Sequence, residues 1–341
     1  MKNIFKNLNV LVTGGTGSIG SEVVKKLLSY NCKSIRVLGS DENGLHNLSL
    51  SIDNSTNDFF KRMKKNNIRF IYGDITDYNR MLLACQDVDI VIHAAALKHV
   101  PICEYNPFEA TKVNVTGTQN LIRASLSNKV KKFILISTDK VVDTTTCLGA
   151  TKLLAEKIVL NSNLNKGKNK ISFSVVRFGN VIGTRGSVLP KFIYQVNNNK
   201  TITLTDKNTT RFFVTVSDAV DGIIDAIRLM KGGEIFIPNT IYSIKIYDLA
   251  LVIKKYFNSK SDILITGMRV GEKIHESIIT YSEFEDLKIF NNLFVLDKFN
   301  VHKIKKIKKK INYFNSKTAN ILNQTQILKY LKSNNLLMIN N

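Results

Sequence analysis

The sequence predicts an α/β protein: a doubly wound parallel sheet with a smaller C-terminal α/β lobe. Three observations predict it. Short apolar runs alternate with helical stretches through the first half of the chain. A glycine-rich string stands between the first apolar run and the first helical stretch. Beyond about residue 180 the alternation loosens into helices and short strands. The 341 residues, 44% hydrophobic and 22% charged, suffice to bury a large core and exclude wholesale disorder. With 18 Gly and only 4 Pro, collagen-like and proline-rich architectures are excluded as well.

Asn9–Thr13 (NVLVT) reads as the first strand, followed by GGTGSIG and the helical stretch SEVVKKLLSY. In that stretch Val23, Val24, Leu27 and Leu28 recur at helical spacing. Ser34–Leu38, Ile68–Tyr72, Ile90–Ala94 and Phe133–Ser137 read as the second to fifth strands, and Ser172–Arg177 as a sixth. Helical patterns near 41–65, 78–86 and 108–127 separate them, which implies a parallel sheet covered on both faces. GSVLPKFIYQV, TITLTD, VSDAVDGIIDAIRLM and GEIFIP then read as a lobe on the carboxyl edge of the sheet. The expected division is 1–180 for the sheet domain and 181–290 for an interleaved second lobe. A basic segment over 291–341 has weak periodicity and no assignment.

Lys and Arg number 49 against 27 Asp and Glu, a net charge of +22. Such a balance suits an anionic partner or only a solvated basic surface. The densest run, KIKKIKKK over 303–310, has no interleaved aromatics and no nucleic-acid motif beside it, so no nucleic-acid partner is expected. No apolar run approaches 18 residues, so no membrane span is expected. The first strand begins too early to leave room for a removable signal peptide. Cys32, Cys85, Cys103 and Cys147 form no CxxC pair and read as reduced thiols of a cytoplasmic protein. The five histidines do not cluster at metal-ligand spacing, and no metal is expected; His46 and His302 read as surface residues.

Gly14, Gly17 and Gly20 stand in TGGTGSIG. One glycine permits a tight turn, another lets backbone N–H groups approach a pyrophosphate, and a third lets helix pack on strand. The helix N-terminus adds positive dipole. Thr16, Ser18 and Ile19 share this Rossmann-type cradle for a dinucleotide, either NAD or NADP. The second strand ends at Ser40 with Asp41 beyond it; Asp41 is either a ribose ligand or the N-cap of the next helix. Asp77 reads as another N-cap.

The spacing GxxGxxG resembles the short-chain dehydrogenase/reductase superfamily. From His93 the chain runs HAAALKHVPICEYNPFEATKVNVTGTQNL, followed by STDK (137–140), GATK (149–152), RFGNVIGTRGSVLP (177–190) and MRVGEKIHE (268–276). TTRF (209–212) and GGEIFIP (232–238) belong to the same set. Over roughly residues 8–280 these strings resemble one branch of the extended superfamily, the UDP-N-acetylglucosamine 4,6-dehydratases of surface-sugar biosynthesis. The resemblance implies that Asp74 and Ile75 meet the adenine. Ala94, Ala95, Ala96 and Leu97 would line the nicotinamide ribose and diphosphate. Lys98 and His99 would sit at the sugar end. Asn114 would be the helix-bending asparagine that helps place Lys152, and Lys152 would bind the nicotinamide ribose. Asn180 would meet the UDP diphosphate. Arg185, Arg211 and Arg269 would contact phosphate and uracil ribose, a task the planar guanidinium fork suits. Glu272 would take a uridine hydroxyl. A homo-oligomer acting on a UDP-sugar, with the dinucleotide tightly held and recycled, is implied in the same way.

A 4,6-dehydration oxidises C4, so that the ketone acidifies the C5 proton. A base then removes that proton while an acid helps the C6 hydroxyl leave as water. The resemblance gives Asp139 the acid's role, Lys140 the base's, and Thr138 a hydrogen bond near C4. Asp139 must then enter with its proton and Lys140 without one. One departure stands out. The superfamily's catalytic tyrosine, four residues before the lysine, is Leu148 here, and VVDTTT before it lacks the usual proline and asparagine. A leucine cannot take a proton. Thr138, a bound water or Asp139 acting twice are the substitutes. The HAAALKHVP and EYNP strings look like the branch that inverts C5, whereas an apolar residue at 148 looks like the branch that retains it; inversion is the expectation. The alternatives are a nucleotide-sugar 4-epimerase or reductase and a member that binds the cofactor but catalyses poorly.

Overall fold

The computed structural model describes residues 3–56, 58–298, 301–302 and 314–338. The run 303–310 lies outside the described residues. The chain opens as β1 (Asn9–Thr13), α1 (Ser18–Leu28), β2 (Ser34–Gly39), α2 (Glu42–Ile52), α3 (Phe59–Lys65), β3 (Ile68–Tyr72) and α4 (Tyr78–Ala84). It continues through β4 (Ile90–His93), α5 (Val100–Tyr105), α6 (Pro107–Thr111), α7 (Thr118–Ser127), β5 (Lys132–Thr138), α8 (Cys147–Asn165) and β6 (Ser172–Phe178). These strands form a parallel sheet in the order β3-β2-β1-β4-β5-β6. The order reverses between β1 and β4, which leaves a crevice outside their carboxyl ends. Each central strand is buried nearly end to end, as a sheet covered on both faces requires.

Two apolar layers cover the sheet. Val23, Val24 and Leu27 of α1 lie on one face with Val10, Val12 and Ile92. Met81 of α4, Leu121 and Ala124 of α7, and Ala155 and Val159 of α8 lie on the other. Asp41, Asp58 and Asp77 each accept a backbone N–H at the start of the helix that follows, so the N-cap readings of Asp41 and Asp77 describe what the structure holds.

The second half is β7 (Asn180–Val181), α9 (Val188–Asn197), β8 (Ile202–Leu204), β9 (Thr210–Val214), α10 (Val216–Leu229), β10 (Ile235–Pro238), β11 (Tyr242–Lys245), α11 (Ile246–Tyr256), β12 (Ile263–Ile265), α12 (Tyr281–Phe284), β13 (Leu287–Phe290), β14 (Leu293–Leu296) and α13 (Gln324–Ser333). Only part of it is a separate lobe. β10 joins β6 in parallel, and β14 and β13 then add antiparallel, giving a nine-stranded sheet. Ala219, Val220, Ile223 and Ile227 of α10 return to the α1 face. The lobe proper holds the small sheets β11-β9-β7 and β12-β8. Its core joins Leu189, Phe192 and Ile193 of α9 to Leu249 and Ile253 of α11 and to Ile327 and Leu331 of α13. The tail that has no assignment from the sequence therefore completes the lobe's core.

Burial corrects one sequence expectation. His302 is 7% exposed and not a surface residue. Its Nε2 lies 2.8 Å from Glu234 Oε1, and its carbonyl accepts from Lys288 Nζ at 2.8 Å. Lys288 also pairs with Asp297 at 2.7 Å. Nothing in local periodicity marks a histidine that a distant glutamate draws inside. His46 is exposed, as expected.

Candidate active site

The loops that leave β1, β4, β5 and β6 converge on one carboxyl edge. After β1, Gly14 has φ +63°, and a Cβ there would stand 2.6 Å from the Ala95 backbone nitrogen. A Cβ on Gly20 would overlap the Gly14 carbonyl. Gly17 caps α1 without a side chain, so the first-turn N–H groups face the crevice unclaimed by any cap. Glycine at 14 and 20 thus lets the loop close tightly on itself, and the bare N-terminus of α1 beside it suits a pyrophosphate. The cradle therefore fits a dinucleotide. Thr16, Ser18 and Ile19 line it, half-buried. At the far end Ser40 and Asp41 are exposed, with Asp41 held by Gly44 N–H at 2.9 Å. Asp74 is exposed and turns onto Thr76 N–H at 2.8 Å, and Ile75 beside it is buried.

After β4, Ala94, Ala95, Ala96 and Leu97 run half-buried toward the exposed Lys98 and His99. Asn114 Oδ1 accepts from Leu97 N–H at 2.8 Å, and its Nδ2 donates to Leu97 O at 3.2 Å and Thr151 Oγ1 at 3.1 Å. Asn114 lies in a π-helical turn, Lys112–Gly117, between α6 and α7. The regular α-helix gives way to this π turn at the asparagine, and its side chain ties the β4 loop to α8. His93 is fully buried between Thr13 Oγ1 at 2.7 Å and Thr118 Oγ1 at 3.0 Å. Burial, with the nearby Lys152 cation, pushes it down to about 3, so it stays neutral.

Lys152 is buried, and its Nζ donates to Ile136 O at 2.7 Å. Burial pulls it down to about 8, against the pull of Glu156. One turn earlier, Leu148 fills an apolar pocket with Cys103 and Ala110, flanked by Leu97 and Val100. The tyrosine position is thus a packing position.

After β5 the chain makes one short turn, Asp139–Val141. A Cβ on Gly149 would overlap the Lys140 carbonyl, so this glycine lets α8 press against the turn. Asp139 is fully buried. Its Oδ1 accepts from Thr138 Oγ1 at 3.0 Å and Lys140 Nζ at 3.0 Å, and its Oδ2 has no partner. A buried carboxylate oxygen without a partner costs stability, and such costs persist where a ligand satisfies the group. Lys140 Nζ also donates to Asn180 Oδ1 at 3.2 Å.

The lobe groups are placed differently. Arg185 donates to Thr16 O at 2.8 Å, and its own carbonyl accepts from Lys98 Nζ at 3.2 Å. The loop at 183–186 thereby crosses the crevice, with Gly186 at φ +74° directly under the His99 ring. Burial and the Arg185 charge pull the Lys98 ammonium downward. Arg211 is buried, donating to the carbonyls of Thr210, Lys273 and Ile274 and to Glu272 Oε1. Glu272 also accepts from Thr205 Oγ1 at 3.0 Å. His275 meets Thr210 Oγ1 at 2.8 Å. Arg269 is exposed. Lys191, in α9, donates to Thr203 O at 3.2 Å, and burial and the neighbouring Arg269 pull it downward. Lys273, which the sequence reading missed, donates to Val142 O at 2.8 Å and fastens the 268–276 segment to the turn beside the site.

Residues 10–298 match the family model described as polysaccharide biosynthesis protein. An uncharacterized membrane protein of Methanocaldococcus jannaschii is 45% identical over 97% of both chains. Among the described residues no helix is long and apolar enough to cross a membrane. A UDP-N-acetylglucosamine 4,6-dehydratase (inverting) of Campylobacter jejuni is 40% identical over 86% of this chain and 84% of its own. A UDP-glucose 4-epimerase of Rickettsia bellii is 37% identical over 85% and 83%. The structure of Pen from Bacillus thuringiensis superposes with a TM-score of 0.89 at 34% identity, covering 98% of this chain and 99% of that one. A dTDP-glucose 4,6-dehydratase of Streptomyces venezuelae, solved with NAD, shares the fold at a TM-score of 0.68 and 22% identity, over 78% and 87%. With its Rossmann-type sheet, its glycine cradle and a match that runs from β1 through β14, the chain belongs to the polysaccharide biosynthesis protein family, among relatives that are nucleotide-sugar dehydratases and epimerases.

Proposed function

We propose that the protein dehydrates UDP-N-acetylglucosamine to a 4-keto-6-deoxy sugar nucleotide, with inversion at C5, for the synthesis of a surface glycan. The observation that carries this reading is the Asp139–Lys140 pair: a buried carboxylate with one free oxygen, in contact with a lysine, at the end of β5. A simple epimerase needs only to oxidise and reduce C4. It has no use for an acid and a base at neighbouring carbons.

A bound NAD or NADP supplies the acceptor and later the donor of the hydride that leaves C4 and returns at C6. Gly14, Gly17 and Gly20 hold its pyrophosphate, and Lys152 its nicotinamide ribose. Asn114 fixes the β4 loop against α8 so that this end of the cleft stays in register.

With leucine at position 148, the Thr138 hydroxyl and Asp139 carboxylate take over the C4 step. Thr138 donates to Asp139 in the structure, so a proton leaving the C4 hydroxyl has a path through Thr138 to Asp139. Asp139 then holds the proton that the C6 hydroxyl needs in order to leave as water. Lys140, as the neutral amine, takes the C5 proton. Asp139 finishes ionised, ready for the next C4 hydroxyl. For an inverted product, solvent delivers the new C5 proton to the opposite face, and Lys140 returns its own proton to water.

The test is incubation with UDP-N-acetylglucosamine in heavy water, read by mass spectrometry and NMR. Loss of one water with deuterium at C5 is expected, and the C5 coupling reports inversion. The Rickettsia bellii relative favours a second reading, 4-epimerisation, which would instead give a product that keeps its C6 hydroxyl and carries no deuterium at C5.

A further inference from the structure

We infer that Asn180 is a positioning residue for Lys140, aiming its lone pair at the substrate. The inference rests on the dehydratase reading for the identity of the proton removed.

Lys140 Nζ lies between two acceptors, Asp139 Oδ1 at 3.0 Å and Asn180 Oδ1 at 3.2 Å. As an ammonium it has three N–H donors, so two are occupied and one is free. As the neutral amine it has two N–H donors and one lone pair. The same two acceptors then hold both hydrogens, and the lone pair takes the remaining direction. Asp139 alone would leave the amine free to rotate about its Cε–Nζ bond, and a rotating lone pair is aimed only part of the time.

Asn180 is suited to this because it is itself fixed. It begins β7, paired in parallel with Phe213 of β9. The preceding Gly179 brings the chain so close to β9 that a Cβ would stand 2.6 Å from Phe212 Cβ. Its neighbours on β9 are Arg211, held by three carbonyls and Glu272, and the buried Phe212 and Phe213. An oxygen contributed by the lobe thus sets the orientation of a base contributed by the main sheet. Asparagine also suits the task by being neutral. An aspartate there would hold the lysine as an ammonium.

Among the described residues, the charged group recorded in contact with Lys140 is Asp139. From α8 come Lys152, engaged with Ile136 O, and Glu156, paired with Arg177 at 2.7 Å. From the lobe comes Lys273, paired with Glu276 at 2.9 Å. A charge introduced at 180 would therefore be the second carboxylate in contact with Lys140.

The experiment compares the wild-type protein with Asn180→Asp and Asn180→Ala by two readouts. The first is the titration of Lys140 itself, followed by NMR of the 13C-labelled lysine side chains and assigned by its loss in Lys140→Arg. It needs no turnover. Asn180→Asp is expected to move the midpoint up by about one unit or more. The second is kcat at saturating nucleotide sugar across pH. The limb that reports the neutral lysine should move upward in Asn180→Asp. The plateau in Asn180→Ala should fall about tenfold or more, from loss of aim rather than of the base. If Asn180 only binds the diphosphate, KM rises in both variants while the plateau in Asn180→Ala stays at the wild-type value, and the inference is overturned. Bound dinucleotide content reports that each variant is folded. The absence of C5 deuteration in the wild type would overturn the dehydratase reading, while the Lys140 titration would still report whether residue 180 lies against this lysine.

Discussion

The polar groups of the main sheet's carboxyl edge and those of the lobe carry similar residue types in opposite states. On the sheet edge they are left under-used. Asp139 keeps one oxygen free although it is buried, and buried Lys152 makes one hydrogen bond, to a carbonyl. In the lobe the Arg211–Glu272 pair is fully engaged. Arg211 answers three carbonyls and Glu272, and Glu272 answers Arg211 and Thr205. Unspent hydrogen-bonding capacity inside a protein is unfavourable unless something else meets it. On the proposed function, the difference separates groups held for chemistry from groups that build the wall of the cleft.

The largest expected effect tests the first half of that contrast. Asp139→Asn and Lys140→Ala should each lower kcat about a thousandfold, the scale for loss of a positioned acid or base. Neither should change the amount of dinucleotide that copurifies or the thermal midpoint by more than a few degrees. A variant that unfolds would place Asp139 among the structural groups instead.

Next comes Arg211. Breaking a buried ion pair by removing one partner costs about 3–5 kcal/mol, because the other charge and the carbonyls are left unsatisfied. Arg211→Ala should therefore lose stability in denaturant titration on that scale. Arg211→Lys should recover little of it, since one ammonium cannot replace a fork that meets four acceptors. If instead stability is kept and only KM for the nucleotide sugar rises, Arg211 is a phosphate ligand and the contrast fails on the lobe's side.

The two regions also differ in how far they could be read in advance. The strands from Asn9 to Phe178 announce themselves as continuous apolar runs between helical stretches, because a sheet covered on both faces buries every residue. The glycine cradle and the STDK turn are local, so their spacing alone locates them. The lobe is assembled from two- to five-residue strands and from helices far apart in the chain. No local period reveals that Ile327 and Leu331 close on Leu249 and Ile253, that β13 and β14 return to the main sheet, or that Glu234 draws His302 inside. Leu148 shows the same limit at a single residue. The sequence registers a missing tyrosine, and only the packing shows what occupies its place.

That packing gives the third test. Leu148 is 4% exposed among Cys103, Ala110, Leu97 and Val100. Leu148→Ala should cost about 2–5 kcal/mol through lost burial and the cavity left behind. The pH dependence of kcat should not change, since no proton passes through this side chain. A shifted profile would mean that the pocket helps set the protonation of its catalytic neighbours.

The smallest effect concerns His93, which joins the two strands flanking the crevice. Burial holds it neutral down to about 3, against an ordinary value near 6.5. The unfolded chain therefore binds a proton that the folded chain refuses between about pH 6.5 and 3. Stability should fall as pH drops through that window, by at most a few kcal/mol and steepest below pH 6. His93→Gln keeps a group able to reach Thr13 or Thr118 and removes the titration. It should flatten this part of the stability curve while costing little at pH 8. NMR of the imidazole should show a neutral ring at pH 5. If the ring is charged at that pH, the crevice between β1 and β4 is open to water, and the contrast between under-used sheet-edge groups and a hydrogen-bonded lobe wall must be redrawn.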